Sequence, residues 1–215
     1  MLDVSLKQAG HFSLESLRTE LFWYDDFLGD QLGDEWGQTL VGAGSVAVVD
    51  AVTGGVARLT TGAVTQDDTS IHWTNVRSLH VNKLIAMEAR VLISKVTVGT
   101  LDAMISLFFD SNNQIQFVES GSTWFIYAED GGATTQLTSG VAMDTDFHIY
   151  RIEAHLHGGS HVHYYIDGVE TANSPIAINI PDDAADFLQP RFFMETTEAE
   201  AKYMDIDYVG VRQNI

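Results

Sequence analysis

The sequence predicts an all-β protein built from two packed antiparallel sheets, and three observations carry that expectation. Apolar and polar residues alternate with a period of two in one segment after another. Glycine outnumbers proline by 18 to 3 and falls largely between those segments. Long stripes at helical spacing are missing. With 215 residues, 45% of them hydrophobic, the chain can bury one sizeable core. The reading is therefore one sandwich domain over residues 22–215 preceded by a short N-terminal arm over 1–21.

In the arm, Ser13 is suited to cap a short helix in which Leu14, Leu17 and Leu21 share one stripe. So short a helix is not stable alone. We expect it to dock on a neighbouring subunit or another protein, with packing against its own domain as the alternative. Residues 21–36, LFWYDDFLGDQLGDEW, combine strand-forming aromatics with turn signals at Gly29-Asp30 and Gly33-Asp34. Strands are then predicted over 45–50, 56–61, 71–74 and 83–95. In the last of these Ile85, Met87, Ala89, Val91 and Ile93 make one continuous apolar face. A hairpin is expected over 103–110 and 114–119 around Ser111-Asn112-Asn113, followed by strands over 123–129, 191–196 and 203–212. In the final strand Met204, Ile206 and Tyr208 are expected on one face, and Tyr203, Asp205, Asp207 and Val209 on the other.

Residues 148–168, HIYRIEAHLHGGSHVHYYIDG, are the segment whose strand pairing can be argued from sequence. A three-residue loop at Gly158, Gly159 and Ser160 puts His157 opposite His161, His155 opposite His163, Ala154 opposite Tyr164 and Arg151 opposite Asp167. Apolar residues then meet apolar ones throughout. Asp167-Gly168 is a turn dipeptide, so a further strand is expected after it.

Composition narrows the partners. A formal net charge of −19 disfavours nucleic acid and anionic membranes, both of which need a cationic surface. There is no cysteine, which excludes thiol nucleophiles and cysteine zinc sites. The first dozen residues carry neither a basic segment nor an apolar run, so no signal peptide is expected, and no stretch reaches transmembrane length.

Several motifs in order carry a resemblance: Asp25-Asp26-Phe27 with Leu32 and Trp36; His148, Tyr150 and Ile152 leading to Val162, Tyr164 and Tyr165-Ile166-Asp167-Gly168; and Asp207-Tyr208-Val209. Over residues 23–213 the chain resembles the concanavalin A-like lectin/glucanase superfamily, which includes laminin-G-like domains and laminarinase-type glycoside hydrolases. The resemblance implies a jelly roll with one concave and one convex sheet. It also implies that a structural calcium ion would use Asp207, with no cofactor otherwise required. Laminarinase-type enzymes carry Glu-x-Asp-x-(x)-Glu on one strand, because a retaining mechanism needs two carboxylates close together. The sequence lacks that motif; its nearest stretches are Glu198-Ala-Glu200 and Asp205-Ile-Asp207. A nucleophile elbow is also missing. The expectation is accordingly a chain that is not an enzyme, with a polysaccharide hydrolase or a His/Tyr lyase as alternatives.

Four histidines, His155, His157, His161 and His163, fall on one face of the predicted hairpin with facing Cβ atoms about 5 Å apart, close enough to hold Zn²⁺ or Ni²⁺. The alternative is a polar face open to water. Trp73, Trp124 and Tyr165 are candidate platforms for stacking pyranose rings, and packing in the core or at its rim is their ordinary role. Domains resembling this one are common in phage structural proteins. The leading expectation is therefore a virion decoration protein associated with a capsid or tail. Such a protein would be assembled in the host cytoplasm as a homo-oligomer among other virion proteins and present a surface for host glycans. A carbohydrate-binding module or lectin-like adhesin is the alternative.

Overall fold

The computed structural model describes residues 20–52, 54–74, 79–81, 83–94, 101–156, 160–183 and 187–214. Alternation with a period of two becomes sixteen strands: β1 (Glu20–Asp25), β2 (Trp36–Leu40), β3 (Ser45–Val52), β4 (Gly54–Thr60), β5 (Asp68–Trp73), β6 (Leu79–His80), β7 (Leu84–Ile93), β8 (Leu101–Asp110), β9 (Asn113–Glu119), β10 (Thr123–Asp130), β11 (Ala133–Ala142), β12 (His148–His155), β13 (His161–Ile166), β14 (Val169–Glu170), β15 (Phe187–Thr196) and β16 (Tyr203–Asn214). They form two eight-stranded sheets. The β7 sheet runs β14-β13-β12-β7-β16-β4-β3 with β1 also on β16, and the β8 sheet runs β11-β10-β9-β8-β15-β5-β2 with β6 also on β15. The fold is a jelly-roll sandwich, as predicted. No helix among the described residues is long and apolar enough to cross a membrane.

The expected face of β7 does line the core, with Ile85, Met87, Ala89, Val91 and Ile93 all at 2% exposure or less. Aromatic residues fill both ends of the sandwich. At one end Trp23 packs edge-on against Trp36 at 5.4 Å and Trp73 at 4.9 Å, and at the other Trp124 packs against Tyr150 at 5.0 Å. Each large side chain so buried contributes about 1.5–3 kcal/mol. Asp25 ties the first corner together: its carboxylate accepts from Trp36 Nε1 at 2.7 Å and from the Phe27 amide at 2.8 Å. Gly55 lies directly under the Phe27 carbonyl, where an added Cβ would sit 1.7 Å from that oxygen, so only glycine fits. Lys202, 1% exposed, is neutralised by Glu198 at 2.6 Å.

Four sequence expectations need correction. The β12/β13 hairpin is paired two residues away from the predicted register. His155 lies opposite His161, Glu153 opposite His163 and Arg151 opposite Tyr165. A slip of two preserves which face each residue occupies, so hydrophobic alternation cannot tell the two registers apart. His157, Gly158 and Gly159 lie outside the described residues. Asp167-Gly168 does turn the chain into β14, with both residues at positive φ (52° and 76°). The second correction is in β16, where a bulge between Ile206 and Tyr208 reverses the alternation. Val209 and Val211 are buried while Tyr208 turns outward to stack on Tyr24 at 5.7 Å. Third, β11 has no counterpart in the sequence reading, because it is largely exposed and lacks an apolar face. Last, the start of the sandwich lies inside the expected arm: Leu21 pairs with Gln213 in β1/β16. Leu14 and Leu17 fall outside the described residues.

The chain after β14 lies along one flank of the sandwich. Val162 and Ile176 exchange amide hydrogen bonds at 2.8 and 3.0 Å beside β13. On the other sheet, Asn173 Nδ2 donates to the Thr138 carbonyl at 2.9 Å and Asn179 Nδ2 to the Thr134 carbonyl at 2.8 Å. The Ala172 amide donates to the Ser139 carbonyl at 2.9 Å.

Candidate functional site

The central strand of one sheet carries the chemistry. In β8 the residues Leu101, Ala103, Ile105 and Leu107 point into the core at 2% exposure or less, so Asp102, Met104, Ser106 and Phe108 face outward. Register does the rest. Asp102 pairs with Glu195 of β15, and Glu195 pairs with Asp68 of β5. Facing side chains on neighbouring strands have Cβ atoms about 4.5–5.5 Å apart, so three carboxylates stand in one row across three strands. Burial raises the pKa of Glu195, and the adjacent Asp102 and Asp68 raise it further. Asp68 is raised as well, by burial, with Arg191 opposing and Asp67 reinforcing the shift. Close by, burial raises Glu119; hydrogen bonds from the Ser122 and Gly121 amides oppose that shift, and Asp102 adds to it. Burial and neighbouring carboxylates thus both favour the protonated form of Glu195, Asp68 and Glu119.

Beyond the acidic row the outer face carries an apolar row, Phe193, Met104, Val118 and Phe125, in cross-strand register. Next comes a polar row of His72, Arg191, Ser106, Gln116 and Tyr127. The Arg191 guanidinium lies over Phe108 at 4.4 Å and Phe193 at 5.1 Å. Burial lowers the His72 pKa and Arg191 lowers it further, which favours the neutral imidazole. Tyr127 donates to Glu129 at 2.6 Å, and Gln114 fixes the same carboxylate at 2.8 Å. Gln116, 3% exposed, holds its side-chain carbonyl oxygen without a donor in the floor of this face. A separate cleft of about 530 Å³ opens between β2 and β3 and is lined by Asp30, Leu32, Asp34, Trp36 and Val48 among others.

The residues named from sequence are distributed differently. Trp73 and Trp124 are 1% exposed and locked in edge-on aromatic contacts, so neither can stack on a sugar. Tyr165 lies on the outer face of the opposite sheet, with Arg151 at 4.3 Å from its ring centroid. Three of the four histidines do come together there. His155 and His161 stack at 4.6 Å, and His163 sits edge-on to both. Burial lowers the His155 pKa, and its two histidine neighbours lower it further. Asp205 and Asp207 are each held by an arginine, Arg58 at 2.7 Å and Arg90 at 2.6 Å. A calcium ion at Asp207 therefore does not fit, since its carboxylate already answers a guanidinium charge. The carboxylate row was missed because its members are scattered at positions 68, 102 and 195, and only strand register makes them neighbours.

No family profile and no curated protein matches the chain. Solved structures do. The cellulose-induced protein Cip1 superposes with a TM-score of 0.65 at 10% identity, covering 88% of this chain and 96% of that one. A β-1,3-glucanase from Mycobacterium marinum gives 0.63 at 13%, covering 88% and 97%. A Bacteroides ovatus GH16 protein from a mixed-linkage glucan locus, solved with a G4G4G3G product, gives 0.63 at 14%, covering 88% and 99%. The chain has the concanavalin A-like jelly-roll fold that the sequence resemblance implied. These neighbours correct the expectation that the chain is not an enzyme, since proteins described as glucanases and glycosyl hydrolases share essentially its whole fold. The enzyme motif lies along a single strand, whereas the carboxylates of this sheet are neighbours across strands. The descriptions of the neighbours named concern glucans and cellulose; none concerns a virion.

Proposed function

We propose that the protein hydrolyses a glycan on the outer face of the β8 sheet, with Glu195 as general acid and Asp102 as nucleophile. The observation that carries this reading is the cross-strand row Asp68–Glu195–Asp102, in which the central carboxyl has a raised pKa. Glu195 donates its proton to the glycosidic oxygen while Asp102 attacks the anomeric carbon, and the leaving sugar departs as an alcohol. Glu195, now a carboxylate, takes a proton from water, which cleaves the glycosyl ester and restores both groups. Facing each other on adjacent strands, the two side chains can bring their carboxyls to the separation of about 5–5.5 Å that a retaining route uses. Phe193, Met104 and Phe125 offer the apolar surface that sugar faces pack against, and Arg191 and Tyr127 offer hydrogen-bonding partners for hydroxyls. The net charge of −19 repels uronic or sulfated polymers, so the substrate is a neutral polysaccharide, and the fold neighbours favour a β-glucan.

The test is release of reducing ends from a neutral β-1,3-glucan and a mixed-linkage β-glucan. We expect Glu195→Gln and Asp102→Asn each to lower the rate by about 10²–10⁴-fold while substrate is still retained. Equal rates in wild type and both variants would overturn the assignment.

A further inference from the structure

On the opposite sheet, far from the carboxylate row in the sandwich, β12 and β13 bring three imidazoles together. His155 ends β12 directly opposite His161, and His163 follows two residues later on the same outward face. One ring nitrogen from each of the three lies within 4.8 Å of the others. A second observation points to a ligand. His163 Nδ1 is 2.6 Å from Glu170 Oε1 on β14, and that same carboxylate oxygen accepts from Ser174 Oγ at 2.8 Å. A carboxylate that fixes one nitrogen of an imidazole leaves the other, Nε2, to serve as a ligand, which is the arrangement that orients metal-ligating histidines. The sequence offered no such carboxylate, because Glu170 reaches His163 only through the Asp167-Gly168 turn.

We propose that His155, His161 and His163 bind one divalent transition-metal ion, zinc by preference, with Glu170 orienting His163 and a fourth position open to water. Three imidazole nitrogens select zinc, cobalt, nickel or copper over calcium and magnesium, which take oxygen ligands. Zinc holds nitrogen at about 2.0–2.1 Å, so tetrahedral binding draws the three nitrogens to roughly 3.3 Å apart. His155 and His161 stand at strand ends, where side-chain rotation can supply that closure. Three protein ligands and one exchangeable position make an open site, which can polarise a bound water or accept a ligand from outside. The proposal is independent of the chemistry assigned to the β8 face.

Isothermal titration of the full chain with zinc chloride is the test, supported by the visible spectrum of the cobalt(II) form. We expect one saturable site per chain and a four-coordinate cobalt spectrum, both lost in the His161→Ala/His163→Ala double variant. Glu170→Ala should bind zinc about 10–100-fold more weakly, and Glu170→Gln, which keeps an acceptor, should recover part of that loss. The metal-free melting temperature of each variant reports whether the sheet is intact. Zinc binding unchanged in a folded double variant, or no saturable site in the wild type, would overturn the proposal. Unchanged affinity in Glu170→Ala would remove Glu170 from it.

Discussion

Arg58 and Asp205 face each other across β4 and β16 with a double hydrogen bond, Nε to Oδ1 and Nη2 to Oδ2, each at 2.7 Å. The pair is lopsided: the Arg58 side chain is 33% exposed and that of Asp205 only 6%. Removing the arginine strands a buried carboxylate, whereas removing the aspartate leaves a guanidinium that water can reach and that still lies over Tyr203 at 4.1 Å. We expect Arg58→Ala to cost about 2–3 kcal/mol and Asp205→Ala about 1–2 kcal/mol, measured by urea unfolding. The reverse order would show that the pair is not organised by burial.

Glu195 should tie activity and stability to pH in the same sense, both falling as pH rises. Hydrolysis needs its proton, so the rate falls as pH rises through its elevated pKa. A raised carboxyl holds its proton more tightly folded than unfolded. Its contribution to stability therefore grows as pH falls through the folded pKa and is unfavourable at neutral pH. Glu195→Gln should thus lose the pH dependence together with about 10²–10⁴-fold of the rate, yet melt on the order of 1–2 °C higher at pH 7. A lower melting temperature at pH 7 would contradict the like-charge account.

His148 supplies a stability term of the other kind. It bonds Asp167 at 2.6 Å and Asp144 at 2.9 Å. Burial lowers its pKa, but the bonds to Asp167 and Asp144 outweigh that and leave it raised. A raised imidazole contributes fully below its unfolded pKa of about 6.5 and loses that contribution as pH rises through the folded value. The melting temperature of wild type should therefore fall between about pH 6.5 and the folded pKa by more than that of His148→Gln. Parallel curves would refute the assignment.

The aromatic residues divide cleanly by face. Trp124→Ala should destabilise by about 3–5 kcal/mol, because it empties part of the core. Tyr165→Ala should leave both stability and glycan retention near wild type, and Phe125→Ala should weaken retention on β-glucan with little effect on unfolding. Affinity electrophoresis of the two surface variants checks the division, and loss of retention in Tyr165→Ala alone would move the glycan surface to the other sheet.

Faces were legible in the sequence and registers were not, for a physical reason. The apolar rows of β7, β12 and β13 specify which side of each strand is buried, and Ile85, Ile152 and Val162 are buried as expected. They carry no information about a shift of two residues, which leaves every face unchanged. The histidine cluster survived that shift, whereas the expected Arg151–Asp167 pair did not: Arg151 lies over Tyr165 and Asp167 holds His148. The bulge after Ile206 was hidden because Tyr208 is apolar enough to suit either face. The carboxylate row is a property of pairing among distant segments, so no local motif could announce it.

The segment after β14, whose asparagines reach the carbonyls of β11 and whose Ile176 bridges to Val162, has a consequence for self-association. Sheets ordinarily end in a line of unsatisfied amides and carbonyls that invites another chain to add a strand. Along this flank parts of both sheets have those groups engaged by the chain itself, so a second molecule finds few vacancies there. A chain cut between Glu170 and Ile180 would uncover β11, a strand whose ten residues, ATTQLTSGVA, include no charged side chain to discourage such pairing. The short irregular segment thus covers an edge, and its loss is expected to turn a closed flank into a template for polymerisation.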